Sequence, residues 1–109
     1  MTYKEISQMI AGANLPYAYY QFPEDTPQAP PFICFFFSDT DDVFADDTNY
    51  QRVATLNIEL YTNEKSFELE ESLEEILANN NLTYYKEENY IDSEKLYQIA
   101  YEMEVMING

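Results

Sequence analysis

Apolar residues recur with the spacing of a helix in two segments of the chain. From about Thr2 to Ala13 they return every three or four positions, and Thr2 with Glu5 forms a capping-box pattern. From Ser66 to about Asn79 the apolar positions fall at i, i+4, i+7 and i+8, behind a serine suited to cap a helix. These two segments are therefore predicted to be amphipathic helices.

Other segments show the features of strands. The run 32–37 is apolar on both faces, which predicts a strand that is covered on both sides. Residues 50–62 and 95–107 alternate between apolar and polar or mixed positions. The predicted strands are residues 16–22, 32–37, 50–62, 82–91 and 95–107.

Two further segments are predicted to be loops. Residues 23–31 contain four of the five prolines, and residues 38–49 are rich in aspartate. The predicted order of elements is therefore α-β-β-β-α-β-β. Short turns between strands favour antiparallel pairing. We predict a single α+β domain, residues 1–109, with a mainly antiparallel sheet of four to five strands and two helices packed on one face.

The aromatic content exceeds what one small core needs. The chain has eleven tyrosines and seven phenylalanines, and several of them share strand faces with polar residues. Val53, Tyr61 and Tyr85 are examples of this mixed pattern on the second face of the sheet. Because tyrosine and phenylalanine are enriched in protein–protein interfaces, we predict that part of this face is buried by another subunit.

The charge balance argues against several classes of partner. The sequence has 21 acidic residues, five basic residues and a formal net charge of −16. So few cations cannot form the basic surface that binds nucleic acid or an anionic membrane. We therefore expect neither sequence-specific nucleic acid nor a membrane as a partner. The two acidic segments, 39–47 and 68–75, are otherwise typical of solvated surfaces.

The sequence offers little for catalysis or metal binding. It has no histidine, and its single cysteine, Cys34, lies within the apolar run. Glycine stands only at positions 12 and 109, which excludes a glycine-rich phosphate loop. Read as a calcium loop from Asp39, the acidic segment fails at Val43, Phe44 and Tyr50. We predict no enzyme activity, no catalytic residues, no cofactor and no metal site.

Several segments beyond position 31 resemble one protein family. They are Asp42-Val-Phe-Ala-Asp46-Asp47-x-x-Tyr50, Ile58-Glu-Leu-Tyr-Thr62, Glu70, and Glu88-Asn-Tyr-Ile-Asp-Ser-Glu-Lys-x-Tyr-Gln98-x-x-Tyr101-Glu102. In these positions, and in size and element order, the chain resembles the tail-terminator (tail-completion) proteins of long-tailed phages and prophages, the family of the lambda minor tail protein U.

This resemblance implies a structural protein of the virion. It implies an α+β subunit that forms a homohexameric ring on the tail tube, stops tube polymerisation and offers the surface to which the head docks. The implied partners are further copies of the chain, the tail-tube protein and a head-completion protein. The implied location is the virion tail, with assembly in the host cytoplasm. An acidic ring lumen would also repel DNA and let it slide through.

A hypothesis about contact residues follows from the acidic segment. Carboxylates flank two apolar residues there, which can insert into a groove of a neighbouring subunit. The predicted subunit or partner contacts are Asp39, Asp41, Asp42, Val43, Phe44, Asp46, Asp47, Tyr50 and Tyr61.

Two other functions remain open from the residues alone. An acidic DNA mimic that inhibits a nucleic-acid enzyme fits the charge and size equally well, and it predicts a monomer or dimer. A small ligand-binding regulatory domain is the third alternative, although it would require glycine-rich turns at the pocket.

Overall fold

The computed structural model describes residues 1–45 and 49–108. Within these ranges the elements follow the predicted order, α-β-β-β-α-β-β. They are α1 Tyr3–Ala11, β1 Tyr17–Tyr19, β2 Phe32–Ala45, β3 Asn49–Thr62, α2 Phe67–Asn79, β4 Tyr85–Ile91 and β5 Leu96–Ile107.

Both helices begin at the predicted caps. The Thr2 hydroxyl accepts from the Glu5 backbone N–H at 3.1 Å, and Glu5 Oε1 accepts from the Thr2 N–H at 2.8 Å. The Ser66 hydroxyl accepts from the Leu69 N–H at 3.2 Å. These bonds satisfy backbone donors that a first helical turn would otherwise leave without partners, so the sequence signals for both starts are confirmed.

Five strands form one mixed sheet in the order β1-β2-β3-β5-β4. Strand β1 pairs in parallel with β2, and the other three pairings are antiparallel. The prediction of a mainly antiparallel sheet is confirmed. Strand β3 lies at the centre, and it pairs with β2 on one side and β5 on the other.

The hydrophobic core lies between the two helices and one face of this sheet. Alternate residues of the central strands point into it, and most of them are fully buried. Helix α1 contributes Ile6 and Ile10, and α2 contributes Leu73 and Leu77. The core residues from the sheet are Ile33, Phe35, Ala54, Leu56, Ile58, Leu60, Ile99, Tyr101, Met103, Val105 and Ile107.

The predicted acidic loop 38–49 is wrong over most of its length. Strand β2 continues to Ala45 and β3 already begins at Asn49, with residues 39–45 paired to residues 49–55. A bulge between Phe37 and Asp39 shifts the register and lets the strand continue. Aspartate is disfavoured in strands, but pairing with β3 along this whole stretch overrides the preference.

Two strands are shorter than predicted. Strand β1 ends at Tyr19 because the next residue, Tyr20, has a positive φ of 71° and turns the chain away. Strand β4 starts at Tyr85 and not at Leu82, because the backbone of Leu82 is still hydrogen-bonded to the last turn of α2. Asn81 has a φ of 59°, and the Leu82 N–H donates to the Leu77 carbonyl at 3.0 Å.

Candidate interaction surface

The face of the sheet opposite the helices carries a mixture of apolar and polar side chains, as the alternation of the strands predicts. From β2, β3 and β5 it presents Phe32, Phe36, Val53, Tyr61 and Leu96, all of which are only half-buried. From β4 it presents Tyr85, which is 83% exposed. We call this side of the sheet the open face.

The proline-rich segment 23–31 and its flanking residues cross one end of the open face and form a groove with it. The floor is made by alternate residues of β2 and β3, and the opposite wall by the turn between β4 and β5. The groove has a volume of about 580 Å³. Its floor and opposite wall are formed by Phe32, Cys34, Phe36, Glu59, Tyr61, Ile91, Glu94 and Leu96.

Aromatic rings shape the groove floor. Phe32 stacks on Tyr61 with ring centroids 4.9 Å apart and planes at 22°. The rings of Phe22 and Phe32 are nearly perpendicular with centroids 5.3 Å apart, and the ring centroids of Tyr20 and Phe36 are 5.4 Å apart. These ring–ring contacts restrict the side chains and form an apolar surface in the groove.

A chain of hydrogen bonds crosses the open face from β4 to β3 and ends at the groove floor. Asn89 donates to Gln98 Oε1 at 3.2 Å. Gln98 Nε2 donates to the Tyr61 hydroxyl at 2.9 Å and to Glu59 Oε2 at 3.2 Å. The Tyr61 hydroxyl in turn donates to Glu59 Oε1 at 2.9 Å. The Glu59 carboxylate is thus held in one orientation by two neutral donors.

Burial changes the acid–base properties of two groups on this floor. Burial raises the pKa of the Tyr61 hydroxyl, which remains a neutral donor at physiological pH. Burial, together with the charge of Glu59, raises the pKa of the Cys34 thiol to about 11. Because the thiolate is the nucleophilic form, burial and the raised pKa make Cys34 a poor nucleophile at neutral pH.

Two of the five basic residues, Lys65 and Lys86, form salt bridges on the helix side of the sheet. Lys65 lies 2.7 Å from Glu70 and also pairs with Glu88. Lys86 lies 2.9 Å from Glu70 and 2.6 Å from Glu74. Glu74 also accepts a hydrogen bond of 2.7 Å from the buried Tyr101 hydroxyl. This group, the Glu70 cluster, joins α2 to β4 and β5.

The structure separates the residues predicted as contacts into two places. Asp39, Asp41, Asp42, Val43 and Phe44 lie along β2 towards the far end of the β2–β3 hairpin, and Tyr50 lies opposite Phe44. Tyr61 lies on the groove floor, eight positions along β3 from Val53, the partner of Asp41. At about 3.3 Å per residue this separation is roughly 26 Å. Asp46 and Asp47 lie outside the described residues.

In the sequence, Glu59, Gln98 and Glu70 stand out only as positions of the family resemblance, and their side-chain contacts are missed. Glu59 and Gln98 stand on the mixed side of alternating strands, where periodicity does not reveal hydrogen-bond partners. Glu70 is 3% exposed although it is charged. The sequence feature that indicates this burial is its spacing. Glu70 stands three residues before Leu73 and seven before Leu77, which places its carboxylate on the apolar stripe of α2.

Within the described ranges, no cluster of potential metal ligands is present. No helix in the same part of the chain is both long and apolar enough to cross a membrane.

Comparison with known proteins gives a structural likeness and no family assignment. No family model matches the sequence, and no curated protein matches it. Among solved structures, the chain is similar to one from the virion of a native gene transfer agent particle, with a TM-score of 0.62 and 14% sequence identity. The match covers 93% of this chain and 84% of that chain. This likeness shows a shared fold.

Proposed function

We propose that the protein is a structural subunit of a phage-type virion and acts there as a tail terminator. Copies of the chain form a ring, hexameric as the family resemblance implies, that caps the tail tube, stops its polymerisation and provides the head-docking surface. The observation that carries this proposal is the fold, which over 93% of the chain is similar to that of a virion chain. The segments that resemble tail-terminator proteins support it independently.

The shape of the subunit fits assembly into a ring. A closed ring requires each subunit to present two different complementary surfaces. At one edge of the sheet, β1 pairs only with residues Ile33–Phe35 of the fourteen-residue β2, so the outer edge of residues 39–45 lies beyond it. At the opposite edge lies β4, which carries the exposed Tyr85 and Tyr90. These two different edges suit a heterologous interface.

Within this ring, the far end of the β2–β3 hairpin contacts a neighbouring subunit. Residues 49–51 of β3 pair with β2 but extend past the last β5 partner, Ile107, which pairs with Arg52. This part of the hairpin is therefore a two-stranded arm outside the five-stranded sheet. The arm carries Val43 and Phe44, the apolar pair of the acidic segment, and we assign the contact to them.

The proposed partners are the tail-tube protein and a head-completion protein, and the proposed location is the virion tail after assembly in the host cytoplasm. The decisive test adds the purified protein to polymerising tail-tube protein. We expect tubes to stop growing and to carry one ring at the capped end in electron micrographs. Tubes of unchanged length, with no density at their ends, would refute the proposal.

Ring contacts are tested separately with the double variant Val43→Ser/Phe44→Ser. Light scattering after size-exclusion chromatography should show a lower ring fraction and more monomer. Phe67→Ser is the matched control, since Phe67 is 67% exposed at the start of α2. A double variant that assembles as fully as this control would contradict the assigned contact. A wild-type protein that remains monomeric would favour a DNA mimic instead.

A further inference from the structure

The groove on the open face combines an apolar floor with fixed negative charge. Aromatic faces and proline rings line its floor and one wall, and three carboxylates, Glu24, Glu59 and Glu94, lie among them. No lysine or arginine belongs to the described lining. A groove of this composition favours a ligand that is both cationic and able to stack on rings.

Glu59 is the best placed of these carboxylates to meet a cation. It is half-buried, and the hydrogen bonds from Tyr61 and Gln98 fix its orientation. A carboxylate offers about four acceptor positions, of which these bonds occupy two. Both donors are neutral, so the negative charge of Glu59 is not balanced within this network. In a partly buried site a charge–charge hydrogen bond gains more than it would in bulk water.

Arginine fits this site better than lysine does. Its planar guanidinium stacks on aromatic faces and pairs with a carboxylate through two parallel hydrogen bonds. Tyr61 of the stacked pair Phe32–Tyr61 donates to the Glu59 carboxylate at 2.9 Å, so an aromatic ring and a carboxylate are adjacent on the groove floor. The proline-rich wall and Phe36 then accept the aliphatic part of the ligand.

We propose that this groove binds an extended, arginine-bearing segment of a different protein. A second copy of the chain is the poorer occupant, because its one arginine, Arg52, stands within the paired strand β3 and not in a separate extended segment. This proposal does not rest on the tail-terminator role, because its test measures peptide binding by the protein itself.

The test uses the full-length protein and a fluorescein-labelled peptide, Pro-Ser-Arg-Ser-Arg-Ser, in fluorescence anisotropy. The matched peptide has citrulline, a neutral isostere, in place of each arginine. We expect the arginine peptide to bind about tenfold more tightly at low salt, which corresponds to about 1.4 kcal/mol. Equal binding of the two peptides, or binding of neither, would overturn the proposal.

Two variants locate the binding. Glu59→Gln should lower the affinity for the arginine peptide about fivefold to tenfold and leave the affinity for the citrulline peptide unchanged. Glu102→Gln is the control, because Glu102 is exposed on the same face of β5 but does not line the groove. Equal loss in both variants would show only a general effect of charge and would refute the site.

A second measurement does not depend on the folding of the Glu59 variant. Cys34 lies on the groove floor and is 4% exposed. The bound peptide should therefore shift the backbone amide resonances of Cys34 and Tyr61 in the NMR spectrum of the 15N-labelled wild-type protein. Unchanged resonances at a saturating peptide concentration would place the peptide elsewhere and overturn the assignment.

Discussion

The Glu70 cluster provides the sharpest test of how this fold is stabilised. Glu70 is almost fully buried, at 3% side-chain exposure, between the ammonium groups of Lys65 and Lys86. Substitution Glu70→Gln keeps the size of the side chain and removes its charge. Among the described residues, Lys65 then keeps Glu88 and Lys86 keeps Glu74 as the anionic partner, and the contact between α2 and β4 weakens.

The magnitude follows from burial. Removing one partner of a buried ion pair costs about 3–5 kcal/mol in general. Here the side chain of Lys86 is 37% exposed and solvent screens part of its charge, and both lysines keep another carboxylate. We therefore expect the variant to lose about 1–3 kcal/mol of the free energy of unfolding.

The pH dependence gives the same argument a second readout. Burial raises the pKa of the Glu70 carboxyl, but the two lysines lower it by more, so it lies below its ordinary value of 4.5. A carboxyl with a lowered folded-state pKa stabilises the fold fully above its unfolded-state pKa. This stabilisation is lost as the pH falls through the folded-state pKa. The difference in stability between wild type and Glu70→Gln should therefore be constant near neutral pH and shrink below about pH 4.5.

The assay is urea unfolding followed by far-UV circular dichroism at several pH values. Glu71→Gln is the matched control, since Glu71 is exposed on the same helix next to Glu70. The reasoning would be refuted if Glu70→Gln and Glu71→Gln unfolded at the same urea concentration. It would also be refuted if the difference between wild type and Glu70→Gln grew on acidification.

Three further predictions concern the core, a helix cap and the thiol. Ile58→Ala should lower the free energy of unfolding by about 2–5 kcal/mol in urea titrations, because Ile58 is fully buried at the centre of the sheet. Thr2→Ala should cost about 1 kcal/mol in the same assay, because it removes the acceptor for the Glu5 backbone N–H. Cys34 should react with a thiol reagent far more slowly in the native protein than in urea, since burial raises its pKa to about 11.

The two stability variants share one control. Thr83→Ala, at an exposed position before β4, should leave stability nearly unchanged and sets the scale for the first two variants. A loss below about 1 kcal/mol for Ile58→Ala would contradict its place in the core. A native thiol that reacts as fast as the unfolded one would contradict its burial.

The sequence was sufficient for elements whose signals are local. Helix α2 follows from the Ser66 cap and the spacing of Leu69, Leu73 and Leu77, and each of these features lies within a few residues of the others. Strand β5 follows from apolar residues at every second position from Tyr97 to Ile107. Periodicity predicts which face of a helix or strand is buried, and in both α2 and β5 one face is buried in the core.

The remaining features depend on residues that are distant in the chain. The aspartates of β2 lie in a strand because β3 pairs with them, and no local propensity shows that pairing. Glu70 is buried because Lys86 reaches it from β4. The groove requires the proline-rich segment to fold over the floor, and its composition predicts only that the segment is a stiff loop.

The strand order has a consequence for how the chain folds. The hairpins β2–β3 and β4–β5 join neighbouring segments, but the central pairing of β3 with β5 runs from Thr62 with Tyr97 to Arg52 with Ile107. Every pair in that seam therefore joins residues at least 35 positions apart. The entropy of closing such a loop has to be overcome before these non-local pairs stabilise the chain. We expect the two hairpins to form early and the pairing of β3 with β5 to set the folding rate. Helix α2, which connects the two hairpins, then packs on the sheet as these strands pair.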